Sequence, residues 1–354
     1  MSSVRLTNRL APDLTGELTP RAEELVMQQL KRGGLSHYAC ANASVIRRDD
    51  ERDRDTVLRP AFVRDAEKIV HTQAYNRLNG KTQVFSFRPD DDLCRRGLHE
   101  QLVGRVARDI GRALGLNLDL IEAIALGHDL GHTPFGHAGE RALRNIYKEG
   151  FHHYEQSLRV VDAIEKDGQG LNLCYETRMG ILAHTHGLPD ESREAVVVRL
   201  CDHIAYLNHD LDDAERAGLL KPEDVPPLIV ERCGERNSRR INAFVEDVVE
   251  QGMHGEIGLS REMKEVWDLF HEFMYERVYY NPVAKGEEAK VEGILRGIWE
   301  HYVAHPDRLP PEYRLIAERD GLERAVTDYV SGMSDDYAIY QYGELFIPAA
   351  WSVR

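Results

Sequence analysis

An all-α fold is predicted by three observations. Apolar residues recur at intervals of three and four along most of the chain, no run of alternating apolar and polar residues marks a strand, and the Gly- or Pro-rich breaks at 186–190, 221–227 and 305–311 read as loops within one helical body. With 354 residues, 42% apolar and 30% charged, the chain can bury a large core as one domain or as two intimate ones.

The elements follow in order. Helices are predicted at about 20–31 and 61–78. After His99, the stripe Leu102, Val103, Val106, Ala107, Ile110, Ala113 and Leu114 makes an amphipathic helix that ends near Gly115 and Asn117. Asp119, with Glu122 three residues on, reads as an N-cap pair opening a helix that stops at Gly127. Pro134 and the glycines keep 129–136 irregular, and a helix resumes over 137–147. Further helices are predicted at 153–166, 176–185, 191–215, 240–251, 260–280, 286–303 and 322–345. The mixed-sign run at 47–55 reads as a solvated loop or mobile segment without chemistry.

Composition excludes several function classes. The net charge is −15, from 60 acids and 45 bases, which gives no general electrostatic footprint for nucleic acid, so an anionic ligand has to be held locally. The five cysteines are far apart with no C-x-x-C, which predicts free thiols rather than disulfides or a thiolate zinc site. The N-terminal residues lack a secretory h-region, and no stretch nears the roughly 18 apolar residues of a membrane span. A cytoplasmic, non-membrane protein is expected.

Chemistry concentrates in "HDLGHTPFGHAGE" (128–140), which holds three histidines and two acids. His128 and Asp129 offer an imidazole nitrogen and a carboxylate oxygen side by side where a helix runs out, a donor pair suited to a divalent metal such as Mn, Fe, Zn or Mg. A lone HD dipeptide is more often an ordinary surface pair. Here His99 opens the preceding helix and Asp202 lies in another, so four ligands from three helices can converge. His184 and His186, in "AHTHG", have no acid partner evident in the sequence and are read as structural. Asp202, Tyr206 and Asp210 are spaced i, i+4, i+8 and share one helix face.

The chain resembles the HD-domain deoxynucleoside triphosphate triphosphohydrolases, the bacterial dGTPase-like family to which the vertebrate SAM- and HD-domain dNTP hydrolase is related. The likeness runs from about Arg59 to Phe346 through "RDAEKIVHTQAYNRLNGKTQV" (64–84), "RGLH" (96–99), "LGLNLDLIEAIALGHDLGHTPFGHAGE" (114–140), "GFHHYEQSLRVV" (150–161), "YETRMGILAH" (175–184), "RLCDHIAYLNHDLDDA" (199–214) and "DYVSGMSDDYA" (328–338).

The resemblance implies an HD-domain helical fold with additional N- and C-terminal helices, divided into an N-terminal extension with a mobile charged loop (1–58), a metal-dependent catalytic core (59–220) and a helical C-terminal region completing the nucleotide pocket and oligomer contacts (221–354). It implies His99, His128, Asp129 and Asp202 as ligands of a divalent metal (Mn, Mg, Fe, Zn, Ni or Co), and His137 with Glu140 as the catalytic pair. His132 and His153 match histidines that contact the triphosphate or its water network. Arg96 matches a phosphate-binding Arg, Gln83 and Val84 line the deoxyribose, Tyr206 and Asp210 touch the triphosphate and the sugar 3′-hydroxyl, and Tyr279 packs on the sugar, with Tyr280 a near rival.

The implied reaction converts a dNTP, dGTP foremost, to deoxynucleoside and inorganic triphosphate. The competing readings are a nucleotide-binding regulatory HD protein with little turnover and an HD nucleotidase acting on monophosphates. A homo-oligomer, hexameric or tetrameric, is expected, together with an allosteric dNTP in some relatives; single-stranded DNA is a minority expectation given the net acidity. The chain departs from the family's usual pattern at Leu98 and Glu100 around His99, at Tyr154, and at Cys201 and His203 around Asp202.

Overall fold

The computed structural model describes Glu24 and residues 34–50, 55–56, 58–87 and 91–348. The helix expected at about 20–31 lies outside the described residues except for Glu24, as do residues 51–54 of the charge run.

The fold is all-α. Its helices of five or more residues are α1 (Ala61–Val70), α2 (Gln73–Arg77), α3 (Arg96–Leu114), α4 (Leu118–Gly127), α5 (Gly136–Ile146), α6 (His153–Arg159), α7 (Tyr175–Ala183), α8 (Arg193–Arg216), α9 (Pro227–Cys233), α10 (Asn237–Met253), α11 (Arg261–Met274), α12 (Val291–Ala304), α13 (Pro311–Asp320), α14 (Leu322–Ser331) and α15 (Asp335–Phe346). Among the described residues there is no strand, and the β-type pairing is one isolated bridge between Thr82 and Arg95.

Two apolar cores flank the centre of the molecule. One gathers Val103, Ile110, Ile121, Val198, Ile204, Phe244, Phe270 and Val278, and the other Ile69, Leu143, Phe151, Ile181, Leu295, Ile298 and Val330, all at most 2% exposed. Burial of side chains this large is the main favourable contribution to folding, roughly 1.5–3 kcal/mol each. Both cores lean on α4, whose residues other than Asp119 and Glu122 are apolar and mostly buried, so α4 is central and its C-terminal end carries His128 and Asp129 inward.

Local chemistry corrects several expected boundaries. α4 is capped by Asn117, whose side chain accepts from Asp119 and Leu120 N–H at 3.1 and 3.3 Å; Asp119 is a first-turn residue that favours the helix dipole. The helix expected at 61–78 breaks at His71 and restarts with Thr72 as cap, and that expected at 322–345 breaks at Gly332, where Ser334 caps α15. Over 260–280 the winding loosens to a π turn at Tyr275–Tyr279, and over 153–166 another π turn covers Val160–Ile164. α9 and α13 both begin at a proline, which suits a first helical turn.

Arg48, Asp49, Asp50 and Asp55 of the charged run are exposed, as a solvated loop requires, but its first residue, Arg47, is not. The Arg47 side chain is 7% exposed and donates to Asp65 Oδ1 (2.6 Å), Asn172 O (2.8 Å) and Ala61 O (3.1 Å). Asp65, fully buried, also accepts from Thr177 Oγ1 and Cys174 N–H. Arg48 pairs with Asp162 at 2.8 Å. The segment is tied onto the helical core because a buried carboxylate needs its partners. All five cysteines are free, as expected. Among the described residues no helix is long and apolar enough to cross a membrane.

Candidate metal centre and active site

The turn from His128 to Gly136 runs between α4 and α5, and the chain around it makes unusually close approaches. A Cβ on Gly131 would lie 2.1 Å from Ser157 N, so only glycine lets the turn rest on the α6 backbone. Phe135 and Gly136 are both left-handed (φ 61° and 55°) and swing the chain into α5. The turn thereby faces α3, α6, α7 and α8 at once.

His99 on α3, His128 at the end of α4, and Asp129 place ligand atoms within 4.8 Å of one another. Asp202 on α8 joins them, with Oδ1 2.9 Å from His99 Nε2 and 3.7 Å from His128 Nε2. The four residues the sequence singled out as ligands are brought together. His128 Nδ1 lies 2.7 Å from Ala125 O, which leaves Nε2 facing the cluster, buried and without a hydrogen-bond partner. Burial raises the pKa of Asp129 and Asp202. The Arg96 guanidinium and His128 overcome this for Asp129, and the nearby His128 together with the bond from His99 overcome it for Asp202, holding both carboxyls well below their usual range. Two anionic carboxylates and an unpartnered imidazole nitrogen fit a divalent cation.

Three residues around this cluster were not anticipated. His184, at the end of α7 and 2% exposed, has Nε2 3.7 Å from Asp129 Oδ1 and 3.2 Å from His153 Nε2. It does have an acid partner, one that chain folding supplies and spacing did not reveal; His186, by contrast, is exposed. Glu100, where the family commonly has Ser, is fully buried with Oε2 3.0 Å from His128 Nδ1 and Oε1 accepting from Asp129 N–H at 3.2 Å. Lys81 is 1% exposed and its Nζ donates to the carbonyls of His132 and Ser331.

Beside the cluster lies an imidazole group held by Glu140. Its carboxylate reaches His153 Nδ1 (3.1 Å), His153 N–H (3.1 Å), His137 Nδ1 (3.4 Å) and Arg144 (3.2 Å). Burial raises its pKa, but the bonds from His137 and His153 bring it far below the usual range, so it stays anionic. The His137 side chain is 69% exposed, open to an incoming ligand. His132 stacks on His153 at 4.4 Å between ring centres, and burial followed by the nearby Arg96 lowers its pKa well below the usual value. Arg96 itself is engaged: it is 2% exposed and bonded to Asp129 Oδ2, with its Nε buried and unpartnered.

On the other side α8 presents Asp202, Tyr206 and Asp210 in line. Tyr279 donates to Asp210 Oδ2 at 2.7 Å, while Asp210 Oδ1 is buried without a partner. Tyr280 is 73% exposed, so of the two adjacent tyrosines it is Tyr279 that meets this carboxylate. Tyr206 stands edge-on to Tyr279 at 6.3 Å. Gln83 has Oε1 buried and unpartnered, and its carbonyl lies 3.5 Å from the Cβ position of Gly136; Val84 is half-buried against the first core.

Comparison with known sequences agrees with this geometry. Residues 98–207 match the HD domain, and 257–344 match the phosphohydrolase-associated domain. A deoxyguanosinetriphosphate triphosphohydrolase-like protein of Caldanaerobacter subterraneus is 42% identical over 327 residues, covering 92% of this chain and 96% of its own. The chain belongs to the deoxyguanosinetriphosphate triphosphohydrolase-like family of HD-domain phosphohydrolases. Relatives of the same name from Clostridium perfringens and Desulfatibacillum aliphaticivorans are 43% and 39% identical over 302 and 334 residues, covering 82% and 89% of this chain and 88% and 95% of theirs. The HD match spans α3 to the middle of α8 and so contains His99, His128, Asp129, Glu140, His184 and Asp202. The associated-domain match contains Tyr279 and all of α12 to α14.

Proposed function

We propose that this phosphohydrolase cleaves dNTPs, with dGTP the expected preferred substrate, to deoxynucleoside and inorganic triphosphate. The observation that carries the reading is a buried His/Asp cluster with an exposed, carboxylate-held histidine on one side and a tyrosine–carboxylate pair on the other. His99, His128, Asp129 and Asp202 would hold a divalent ion. When bound, it supplies Lewis acidity, lowering the pKa of a water and neutralising charge that grows on phosphoryl oxygens.

The chain's own residues account for the rest. Water adds to the α-phosphorus as the bond to the 5′-oxygen breaks, and His137 delivers a proton to that oxygen, with Glu140 fixing the ring. Water in net terms supplies hydroxyl to phosphorus and a proton to the nucleoside. His132 and His153 border the triphosphate, and His132, kept neutral by burial, offers it a hydrogen bond without needing to be charged. Gln83, Val84 and Tyr279 line the sugar, and Tyr206 and Asp210 touch the triphosphate and the sugar 3′-hydroxyl. Arg96 anchors phosphate through the edge it does not give to Asp129. Homo-oligomer formation belongs to the same reading, supported by exposed Ile339, Tyr340 and Ile347 at the last helix.

The test is incubation of the purified protein with each dNTP and Mn or Mg, resolving nucleoside, monophosphate, triphosphate and pyrophosphate. Nucleoside and triphosphate in equal amounts are expected. Binding without turnover would favour a regulatory protein, and cleavage of monophosphates alone a nucleotidase.

A further inference from the structure

Asp335, the first residue of α15, lies far from the cluster in sequence and touches both halves of the site. Its Oδ1 accepts from Phe135 N–H at 2.8 Å and its Oδ2 from Thr82 N–H at 3.1 Å. Phe135 is the left-handed residue immediately before α5, in a conformation that non-glycine residues seldom adopt and that needs fixing from outside. Thr82 precedes Gln83 and Val84. One carboxylate therefore sets the register between the turn that launches His137 and the segment that carries Gln83.

Lys81 closes the same junction from the adjoining residue. Its Nζ donates to both the His132 carbonyl and the Ser331 carbonyl at the end of α14 (2.9 Å to the latter). Close approach is built in: a Cβ on Gly80 would lie 2.9 Å from Ser334 Cβ. Asp335, Lys81, Thr82, Phe135 and Ser331 are each at most 7% exposed, so water does not replace these bonds.

We propose that Asp335 and Lys81 are positioning residues that lock the 132–136 turn to the 81–84 segment, holding the His137–Glu140 pair at a set distance from the sugar-facing residues. What is positioned rests on the hydrolase reading; the lock itself does not.

Hydrogen–deuterium exchange on the full chain tests the lock. In Asp335→Asn the side-chain amide accepts one N–H and opposes the other, so peptides covering 79–87 and 130–138 should both exchange roughly tenfold faster or more, the scale of losing a charge-assisted bond. Peptides from α3 and α8 should not change. Acceleration in only one of the two segments, or an even loss of protection across the chain, would overturn the lock.

The kinetic arm reads its purpose. Asp335→Asn and Lys81→Met should lower kcat by roughly tenfold or more with KM and metal content held within about twofold, at temperatures where circular dichroism shows both folded. Asp335→Glu, which keeps two acceptor oxygens, should recover part of the rate. Loss of kcat in proportion to lost metal, or equal damage by Glu and Asn, would make Asp335 merely structural. If Asp335→Asn does not fold, Asp335→Glu and Lys81→Met carry both arms. A wild type that hydrolyses no dNTP defeats the hydrolase reading, while exchange still decides whether the lock exists.

Discussion

His184 places its Nε2 3.7 Å from Asp129 Oδ1. Its Nδ1 sits 2.7 Å from Ile181 O, and burial, reinforced by His128, pulls its pKa down to about 3, so near neutral pH Nδ1 donates and Nε2 keeps a lone pair aimed into the cluster. We expect His184→Ala to weaken metal affinity by roughly 10- to 100-fold, the usual effect of residues that support a ligand set. His128→Ala or Asp129→Ala should remove both stoichiometric metal and hydrolysis, whereas exposed His186→Ala should change neither. Chelator competition and metal analysis after dialysis decide it: wild-type affinity in His184→Ala would take this imidazole out of the site.

We expect proton donation to separate from metal binding at His137. The ring lies outside the His99, His128 and Asp129 group and is oriented by Glu140. His137→Ala should keep metal and nucleotide binding while turnover falls about 100-fold or more, the range for a placed general acid. Single-turnover rates and nucleotide affinity measured side by side are the check. A variant whose main defect is affinity would make His137 a phosphate anchor.

The all-α class was legible because helical periodicity is a local signal, and the meeting of His99, His128, Asp129 and Asp202, a long-range contact, was legible through the resemblance that singled those residues out. Other positions settled by long-range contact were not. Asn117 outcompetes Asp119 as a cap because its side chain sits one turn ahead of both N–H groups, a matter of one or two residues that a pattern of acids does not resolve. Arg47 looked solvated in a mixed-charge run, and only the approach of Asp65 and Asn172 explains its burial. His184 lacks an acid nearby in sequence and finds one 55 positions upstream, at Asp129. Glu100 was noticed as a departure beside His99, yet its contact is with His128 on the next helix.

Asp210 gives a pH signature. Burial raises its carboxyl to about 7 despite the bond from Tyr279. The folded state then holds a proton that the unfolded chain releases near the ordinary value of 3.8, so this group lowers stability as pH rises from about 4 to about 7, and the loss is complete above that window. At about 1.4 kcal/mol per unit, the contribution is bounded near 4 kcal/mol. Asp210→Asn, neutral at every pH, should flatten the fall in Tm between pH 5 and pH 8 relative to wild type. Parallel wild-type and variant profiles would mean that Asp210 is already ionised at low pH in the folded protein.

Sugar selection can be tested at Tyr279, the partner of Asp210. If Gln83, Val84 and Tyr279 close on the C2′ face, a ribonucleotide has to place an extra hydroxyl in filled space with its hydrogen bonds unmet, a penalty of about 1–3 kcal/mol. GTP and ATP should therefore be hydrolysed at least roughly tenfold less efficiently than dGTP and dATP, since about 1.4 kcal/mol is one decade. The structure separates two functions of Tyr279: its ring fills space, and its hydroxyl holds Asp210 Oδ2. Tyr279→Ala should narrow the gap between the sugars. Tyr279→Phe should keep the gap, because the ring stays, while raising KM for both, because Asp210 loses the hydroxyl that holds its Oδ2 and turns toward water. Values of kcat/KM for both sugars in the three proteins settle the matter. Equal wild-type rates would remove the sugar gate, and a gap lost in the Phe variant would show that the hydroxyl, acting through Asp210, carries the discrimination that the ring is assigned here.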